Sequence, residues 1–498
     1  MRRPGVRRLT LLAGPLLAVA VYALLPVAYT GADGTLQPLT PGARAAAGVT
    51  AWMALWWITE ALPVYVTSLL PLVAFPLTGT ATAEEAAGAY GDPLIFLFFG
   101  GFILALALER WGLHRRVALT VLRSVGSRPT RIVGAMMGIT AFLSLWVTNT
   151  ATTLMMLPVA LSVADTIARD GAAAANGRDN VAAALMLGVA YAASIGGMGT
   201  IIGTAPNVFV ASFLDTRLQA GIDFLDWMLL AMPVVLLLLL GAWWLLTRVV
   251  FRVGSAELPG IGALLGNLAG ELGPVTPAER RTALVFLVTA GAWVLRGVLT
   301  EFTIGGVRPL AGLTDAGIAI AATLVLFITP AGPGAAGETL MDWQSTRKVP
   351  WGLLLLFGGG LSLAASFEQT GLAAFVAAQG EVLTRLPLWL LVLSVATAVV
   401  FLSEIASNVA TATTVVPLLA ALAAGAGLEP VPLVIGACFA ASCGFMLPVA
   451  TPPNAIVYGT GKVTAGQMAR AGFLLNVLGI LFITAVTCGI IVPSLGAR

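Results

Sequence analysis

Charge is scarce in this chain. Of its 498 residues only 10% are Asp, Glu, Lys or Arg while 58% are hydrophobic, and the mean hydropathy is +0.96. That is too little polar surface to clothe a water-soluble protein of this size, so the composition implies a polytopic membrane protein. Histidine is nearly absent: His114 stands alone in a basic stretch with Arg110, Arg115 and Arg116. One imidazole cannot build a metal centre, and His114 reads as a loop residue. The three cysteines, Cys438, Cys443 and Cys488, all sit in apolar stretches without metal-ligand spacing, which excludes a disulfide framework and a thiolate site. The net charge of +3 is small and the arginines are scattered through short loops, so nucleic acid is not an expected partner. There is no nucleophile–base pair, metal cluster or phosphate loop in the sequence, and an enzyme is not expected.

What the chain does contain is polar residues placed inside apolar runs. The run Leu145 to Pro158 (LWVTNTATTLMMLP) carries Thr148-Asn149-Thr150, and Ile405 to Pro417 (IASNVATATTVVP) carries Ser407-Asn408-Val409, 259 positions downstream. The same shift relates Glu109, Gly112 and Leu113 to Glu368, Gly371 and Leu372, and Gly100-Gly101 to Gly359-Gly360. Each tripeptide has a companion, TAPN at Thr204 to Asn207 and TPPN at Thr451 to Asn454, here shifted by 247. The chain is an internal repeat. Apolar segments interrupted by Gly and Pro at corresponding positions of two halves point to the binding site of a transporter.

This pattern predicts an all-α polytopic fold of two inverted repeats, with about 11 transmembrane helices, two re-entrant hairpins and two unwound helices. Residues 1–44 hold a first span, Leu9 to Tyr29, and a loop. The first repeat is 45–253, with a hairpin at 131–165 and a broken helix at 181–214. A cytoplasmic linker follows at 254–281, and the second repeat is 282–498, with a hairpin at 387–424 and a broken helix at 431–460. The other spans are Gly48 to Thr59, Leu62 to Leu77, Pro93 to Gly112, Trp227 to Val250, Thr282 to Leu299, Ala316 to Thr329, Trp351 to Thr370 and Phe473 to Pro493. The stretch from Arg110 to Arg131 reads as a basic loop. The positive-inside rule places Arg2, Arg3, Arg7 and Arg8 at a cytoplasmic N-terminus, leaves Arg44, Arg217, Arg296, Arg308, Arg385 and Arg498 outside, and makes the C-terminus external. An odd number of crossings per repeat inverts the halves, so the hairpins enter from opposite sides and their tips meet near the midplane.

Asn149 and Asn408 fall at N-cap positions of helical arms, where free backbone N–H groups and the positive dipole end favour anions. An asparagine carboxamide can also bind a cation through its oxygen while donating to an anion through its NH2. The unwound stretches Ser194 to Asn207 and Ser442 to Asn454 add carbonyls and hydroxyls, which suit a hard cation. Neither motif region holds Asp, Arg, Lys or His. The nearby charge is Glu404, one helical turn before Asn408, which is placed to help attract a cation but reads first as structural, as do Glu109 and Glu368. A divalent anion here is offset by helix dipoles and bound cations, and sodium coupling follows. A cation/proton antiporter shares the inverted repeats but needs a titratable carboxylate at the crossing point, where this chain has asparagine.

Three stretches together resemble the divalent anion:sodium symporter family, solute carrier family 13, over nearly the whole chain: WWITEALPVYVTSLLPL (Trp56 to Leu72), the paired Asn motifs, and FMLPVATPPNAIVYGTG (Phe445 to Gly461). The resemblance implies sodium-coupled import of small divalent anions, C4-dicarboxylates such as succinate, malate and fumarate, across the inner membrane of a prokaryote. It also implies a homodimer in the lipid bilayer whose transport domain, built from hairpins, broken helices and the last span of each half, moves as an elevator against a scaffold. By position it assigns one sodium ion to Ser144, Thr148, Asn149 and Gly203 and a second to Ser403, Ala406, Asn408 and Ala450. It assigns the anion to Asn149, Thr150, Asn408, Val409, Thr451 and Pro452, and implies no organic cofactor. Val409 stands where dicarboxylate carriers of the family usually have Thr, which removes a donor and makes sulfate or another small oxyanion the alternative substrate. Sodium-independent dicarboxylate exchangers of the family carry a basic residue in place of a cation. These motifs have none, which favours symport.

Overall fold

The computed structural model describes residues 4–31, 34–169, 178–254, 260–335, 337–380 and 386–496. Arg2, Arg3, Arg385 and Arg498, which enter the sidedness argument, lie outside them. The chain is almost wholly helical, and the one sheet among the described residues is the short antiparallel pair Ala28–Thr30 and Leu36–Pro38. Among the described residues eight helices are long and apolar enough to cross a membrane, with shorter apolar helices beside them. The protein is a multi-pass membrane protein.

The repeat is visible in the backbone. Pro129–Ser144 and Asn149–Arg169 form a first hairpin, matched by Leu388–Ile405 and Asn408–Gly425. Each second arm carries a proline in its interior, Pro158 and Pro417. A broken helix follows each hairpin: Arg178–Gly197 and Ala205–Thr216 in the first half, Pro430–Ala441 and Pro452–Gly459 in the second. Proline at the first turn suits the restart of a helix, because its missing N–H is one the helix leaves unpaired there. Long helices close each half, Phe224–Trp244 and Ala465–Val486.

The halves interlock through these broken helices. Pro452–Gly459 packs on Asn149–Arg169 and Arg178–Gly197, while Ala205–Thr216 packs on Asn408–Gly425 and Pro430–Ala441. Tyr191 stands edge-on to Phe445 at 5.2 Å, and its hydroxyl donates to Met468 O at 3.3 Å. The apolar window of the helix containing Tyr191 is 89% buried, against 17% for Pro277–Glu301. The first is the protein's core; the second presents Leu284, Leu287, Val288 and Val298 outward.

Several elements differ from the sequence reading. The basic stretch after Arg110 is a helix, Leu113–Ser124, started by Gly112 in left-handed backbone (φ 71°), and it buries Ala118, Leu119 and Leu122 beneath its arginines. His114 is therefore helical. Its repeat partner Leu372–Ala378 starts at Gly371 (φ 82°) in the same way. Leu62 to Leu77 is no single span: Glu60 adopts φ 49°, and short helices Val64–Thr67 and Pro71–Thr78 replace it. The 254–281 linker holds a helix, Ile261–Gly270, which packs on Leu113–Ser124. Several spans start earlier than hydropathy suggests, because Pro41, Pro277 and Ala465 follow capping threonines whose hydroxyls accept from the first turn.

Candidate functional site

Each hairpin turns at its polar tripeptide. In the first, the amides of Trp146 and Val147 both fold back on Leu143 O at 3.0 Å, and a new helix begins at Asn149. In the second, Ala406 takes extended backbone (φ −125°, ψ 160°), and Ser407 caps the next helix by accepting from Ala410 N at 3.2 Å. Asn408 is thus the first helical residue and not the N-cap that its type suggests. Serine and asparagine cap about equally well, and with Ser407 in that role the Asn408 carboxamide is free to turn back on the first arm.

That carboxamide is the centre of an oxygen cluster. Ser403 Oγ lies 2.9 Å from Asn408 Oδ1 and 2.6 Å from Ala441 O. In the first half Ser144 Oγ lies 2.9 Å from Asn149 Oδ1 and 2.7 Å from Ala193 O. A serine hydroxyl has one proton to give, so in each cluster two acceptor oxygens compete for a single proton. Ser144 and Ser403 are fully buried. The first cluster continues to the glycines of the break: a Cβ on Gly197 would strike Asn149 Oδ1, and one on Gly203 would stand 2.8 Å from Ser144 O. In the second, a Cβ on Gly444 would lie 3.5 Å from Asn408 Oδ1 and 3.3 Å from Ala450 Cβ. Two repeat-related clusters of hard oxygen are therefore formed where each hairpin tip meets its own broken helix.

Side chains outside the sequence-derived set hold those breaks open. Asn207 Nδ2 donates to the carbonyls of Gly197 (3.0 Å), Met198 (3.2 Å) and Thr200 (2.7 Å), and Trp227 Nε1 adds a bond to Met198 O at 3.1 Å. Asn454 Nδ2 does the same for Gly444 O (3.1 Å) and Leu447 O (3.0 Å). The signal was in the sequence, as the last letter of TAPN and TPPN, but its role was not: these asparagines secure backbone. Glu404, one turn before Asn408, holds the second break together. Its buried carboxylate accepts from the amides of Phe445 (2.7 Å), Met446 (2.8 Å) and Leu447 (3.1 Å) and from Asn476 Nδ2 (2.7 Å). Two further hydroxyls at the breaks, Ser194 Oγ and Ser442 Oγ, are buried with no hydrogen-bond partner.

A cavity of about 1000 Å³ reaches this region. Thr148, Thr150 and Pro452 line it together, joining the first hairpin tip to the second broken helix, and Glu109, His114, Arg115 and Lys348 line it further out. Burial lowers the His114 pKa, which leaves Arg115 and Lys348 as the positive charge of the vestibule. Asn149, Asn408, Val409 and Thr451 are not part of this wall; Thr451 is buried as the cap of Pro452–Gly459, and Val409 packs against apolar side chains.

Residues 10–493 match the family model described as the sodium:sulfate symporter transmembrane region. The chain belongs to this symporter family. Among its relatives are the sodium-dependent dicarboxylate transporter SdcS of Staphylococcus saprophyticus, 38% identical over 90% of this chain and 86% of that one, and SdcS of Staphylococcus aureus, 39% identical over the same shares. The fold is that of the Alcanivorax borkumensis YdaH transporter, described as having an unusual topology, with a TM-score of 0.57 at 15% identity, covering 97% of this chain and 96% of that one. Family and relatives are transporters, and this member is a transporter and not an enzyme.

Proposed function

We propose that this symporter imports small divalent anions, C4-dicarboxylates such as succinate, malate and fumarate, together with sodium. The observation that carries the reading is the pair of buried clusters in which Ser144 and Ser403 each have one proton for two acceptor oxygens. A sodium ion at each would take the surplus oxygen, with Thr148 and Gly203 completing the first shell and Ala406 and Ala450 the second. The anion then lies against the helix starts at Asn149-Thr150, Asn408-Val409 and Thr451-Pro452, where N–H groups and the neighbouring cations offset its charge. The dicarboxylate class is supported by the relatives' names; Val409, which offers no hydroxyl, favours sulfate as a second reading.

The transport unit comprises the hairpins, the broken helices and the closing helices, and it moves as an elevator within a homodimer in the inner membrane. Its contacts with the remainder support one conformation. The vestibule with Arg115 and Lys348 lies at the C-terminal end of Pro93–Arg110, and its basic character supports a cytoplasmic face, with the N-terminus inside and the C-terminus outside. Near the opposite end Arg217 pairs with Glu368 at 3.4 Å, and Arg296 joins Asp223 (3.3 Å) to Asp315 (3.0 Å). Trp146, beside the first tip, stacks near Trp293 and Phe224. The external side is thus closed and the cytoplasmic side open. Counterflow in proteoliposomes tests the reading: sodium-dependent exchange of external labelled succinate for internal succinate is expected, and exchange indifferent to sodium would sink it.

A further inference from the structure

The two oxygen clusters are equivalent by sequence but differ in charge. At the residue after the cluster serine the second half has Glu404 and the first, 259 positions earlier, has Leu145. The stapling asparagines establish the rest of the correspondence: Asn207 reaches ten and seven residues back to Gly197 and Thr200, and Asn454 reaches ten and seven back to Gly444 and Leu447. In the first break the amides of Met198 and Gly199 bond to the carbonyls of Ile195 (3.2 Å) and Gly196 (2.9 Å), as a continuing helical turn does. In the second the matching amides of Phe445 and Met446 turn instead to Glu404 Oε1. Among the described residues the hydrogen bonds to Glu404 come from N–H donors, the pattern that suits an acceptor-only carboxylate. Glu404 is 3% exposed, and none of the ion pairs of the described residues includes it.

This charge stands next to one cluster and not the other. Phe445, whose amide holds the carboxylate, follows Gly444, and a Cβ on Gly444 would lie 3.5 Å from Asn408 Oδ1. Carboxylate and cluster are therefore on two sides of a single stretch of backbone. We propose that Glu404 makes the clusters unequal: the Ser403–Asn408 cluster fills with sodium at low concentration and without the anion, and the Ser144–Asn149 cluster fills only at higher sodium or with the anion present. Glu404 is a positioning residue, acting through the field at the site and through the amides it holds. The proposal rests on the sodium-coupled reading. A unit charge at roughly 10 Å in an effective dielectric of about 20 corresponds to about tenfold in cation affinity.

The test is thermal stabilisation of the purified full chain in detergent, titrating NaCl against choline chloride at constant ionic strength with no dicarboxylate present. Ser144→Ala is expected to keep the low-sodium response, Ser403→Ala to lose it, Glu404→Gln to need about tenfold more sodium and Glu404→Asp to move back toward the original protein. Equal losses in the two serine variants, or the reverse order, would overturn the proposal, and this comparison stands even where Glu404→Gln does not fold. A folded Glu404→Gln with unchanged sodium dependence, or one matched by Glu404→Asp, would also overturn it. Absence of any sodium response in the unaltered protein would instead refute sodium coupling itself, and the proposal with it.

Discussion

Replacing Gly197 by alanine places a methyl group on Asn149 Oδ1, the oxygen held 2.9 Å from Ser144 Oγ. The same Cβ would also stand 3.1 Å from Gly203 O, so backbone blocks one direction of relief and Asn149 must give way. Overpacking of this kind costs about 1–3 kcal/mol. Loss of the Ser144 contact adds about 1 kcal/mol. Together, roughly 2–4 kcal/mol against the formed site corresponds to about 30-fold to 1000-fold in sodium-driven uptake. Gly444→Ala is the internal control: its Cβ meets Ala450 Cβ at 3.3 Å, Thr451 Cγ2 at 3.4 Å and Asn408 Oδ1 at 3.5 Å, contacts that adjust by tenths of an ångström. It is expected to lower uptake by no more than about fivefold, or about 1 kcal/mol. The assay is the initial rate of labelled succinate uptake into proteoliposomes, normalised to reconstituted protein, with melting temperature reporting folding. Equal losses in the two variants, or a folded Gly197→Ala with near-normal uptake, would refute the packing argument.

Other expectations follow from the same geometry. Asn149→Ala and Asn408→Ala should each abolish uptake while leaving a cooperative melting transition, since each removes the oxygen at the centre of a cluster; uptake near the original rate in either would remove that residue from the site. Val409→Thr should raise succinate uptake relative to sulfate by supplying a hydroxyl at the second tip, and an unchanged ratio measured by competition would end its role in selectivity. Arg296→Gln leaves Asp315, which is 8% exposed, facing Asp223 without a cation, and should lower stability by about 1–3 kcal/mol. It should also make the external end easier to open, read as faster labelling of a cysteine introduced at half-buried Ile222, which leaves Asp223 in place; slower labelling would contradict the closed external side.

Much of this was legible because polar residues inside apolar runs admit few explanations. Asn149 and Asn408 marked the hairpin tips, and the Gly/Pro stretches marked the breaks, at the positions where helices end and restart. Short amphipathic helices were not legible. Leu113–Ser124 alternates arginines with Val117, Leu119 and Leu122, and a window suited to spans averages that pattern into a basic loop. The partners of Glu404 were hidden for another reason: the amides it holds are 41 to 43 residues away and belong to backbone, which carries no sequence signature. Which residue of the second tripeptide caps the arm was not legible, because Ser and Asn have nearly the same N-cap preference and the turn chooses Ser407.

The measurement that bears most directly on the central claim is uptake of labelled succinate into proteoliposomes with and without an inward sodium gradient, with malate, fumarate, citrate and sulfate as competitors. Saturable uptake that requires sodium, is competed by malate and fumarate and resists sulfate is the expected result. Uptake that ignores sodium, or a carrier that takes sulfate and leaves succinate outside, would contradict it.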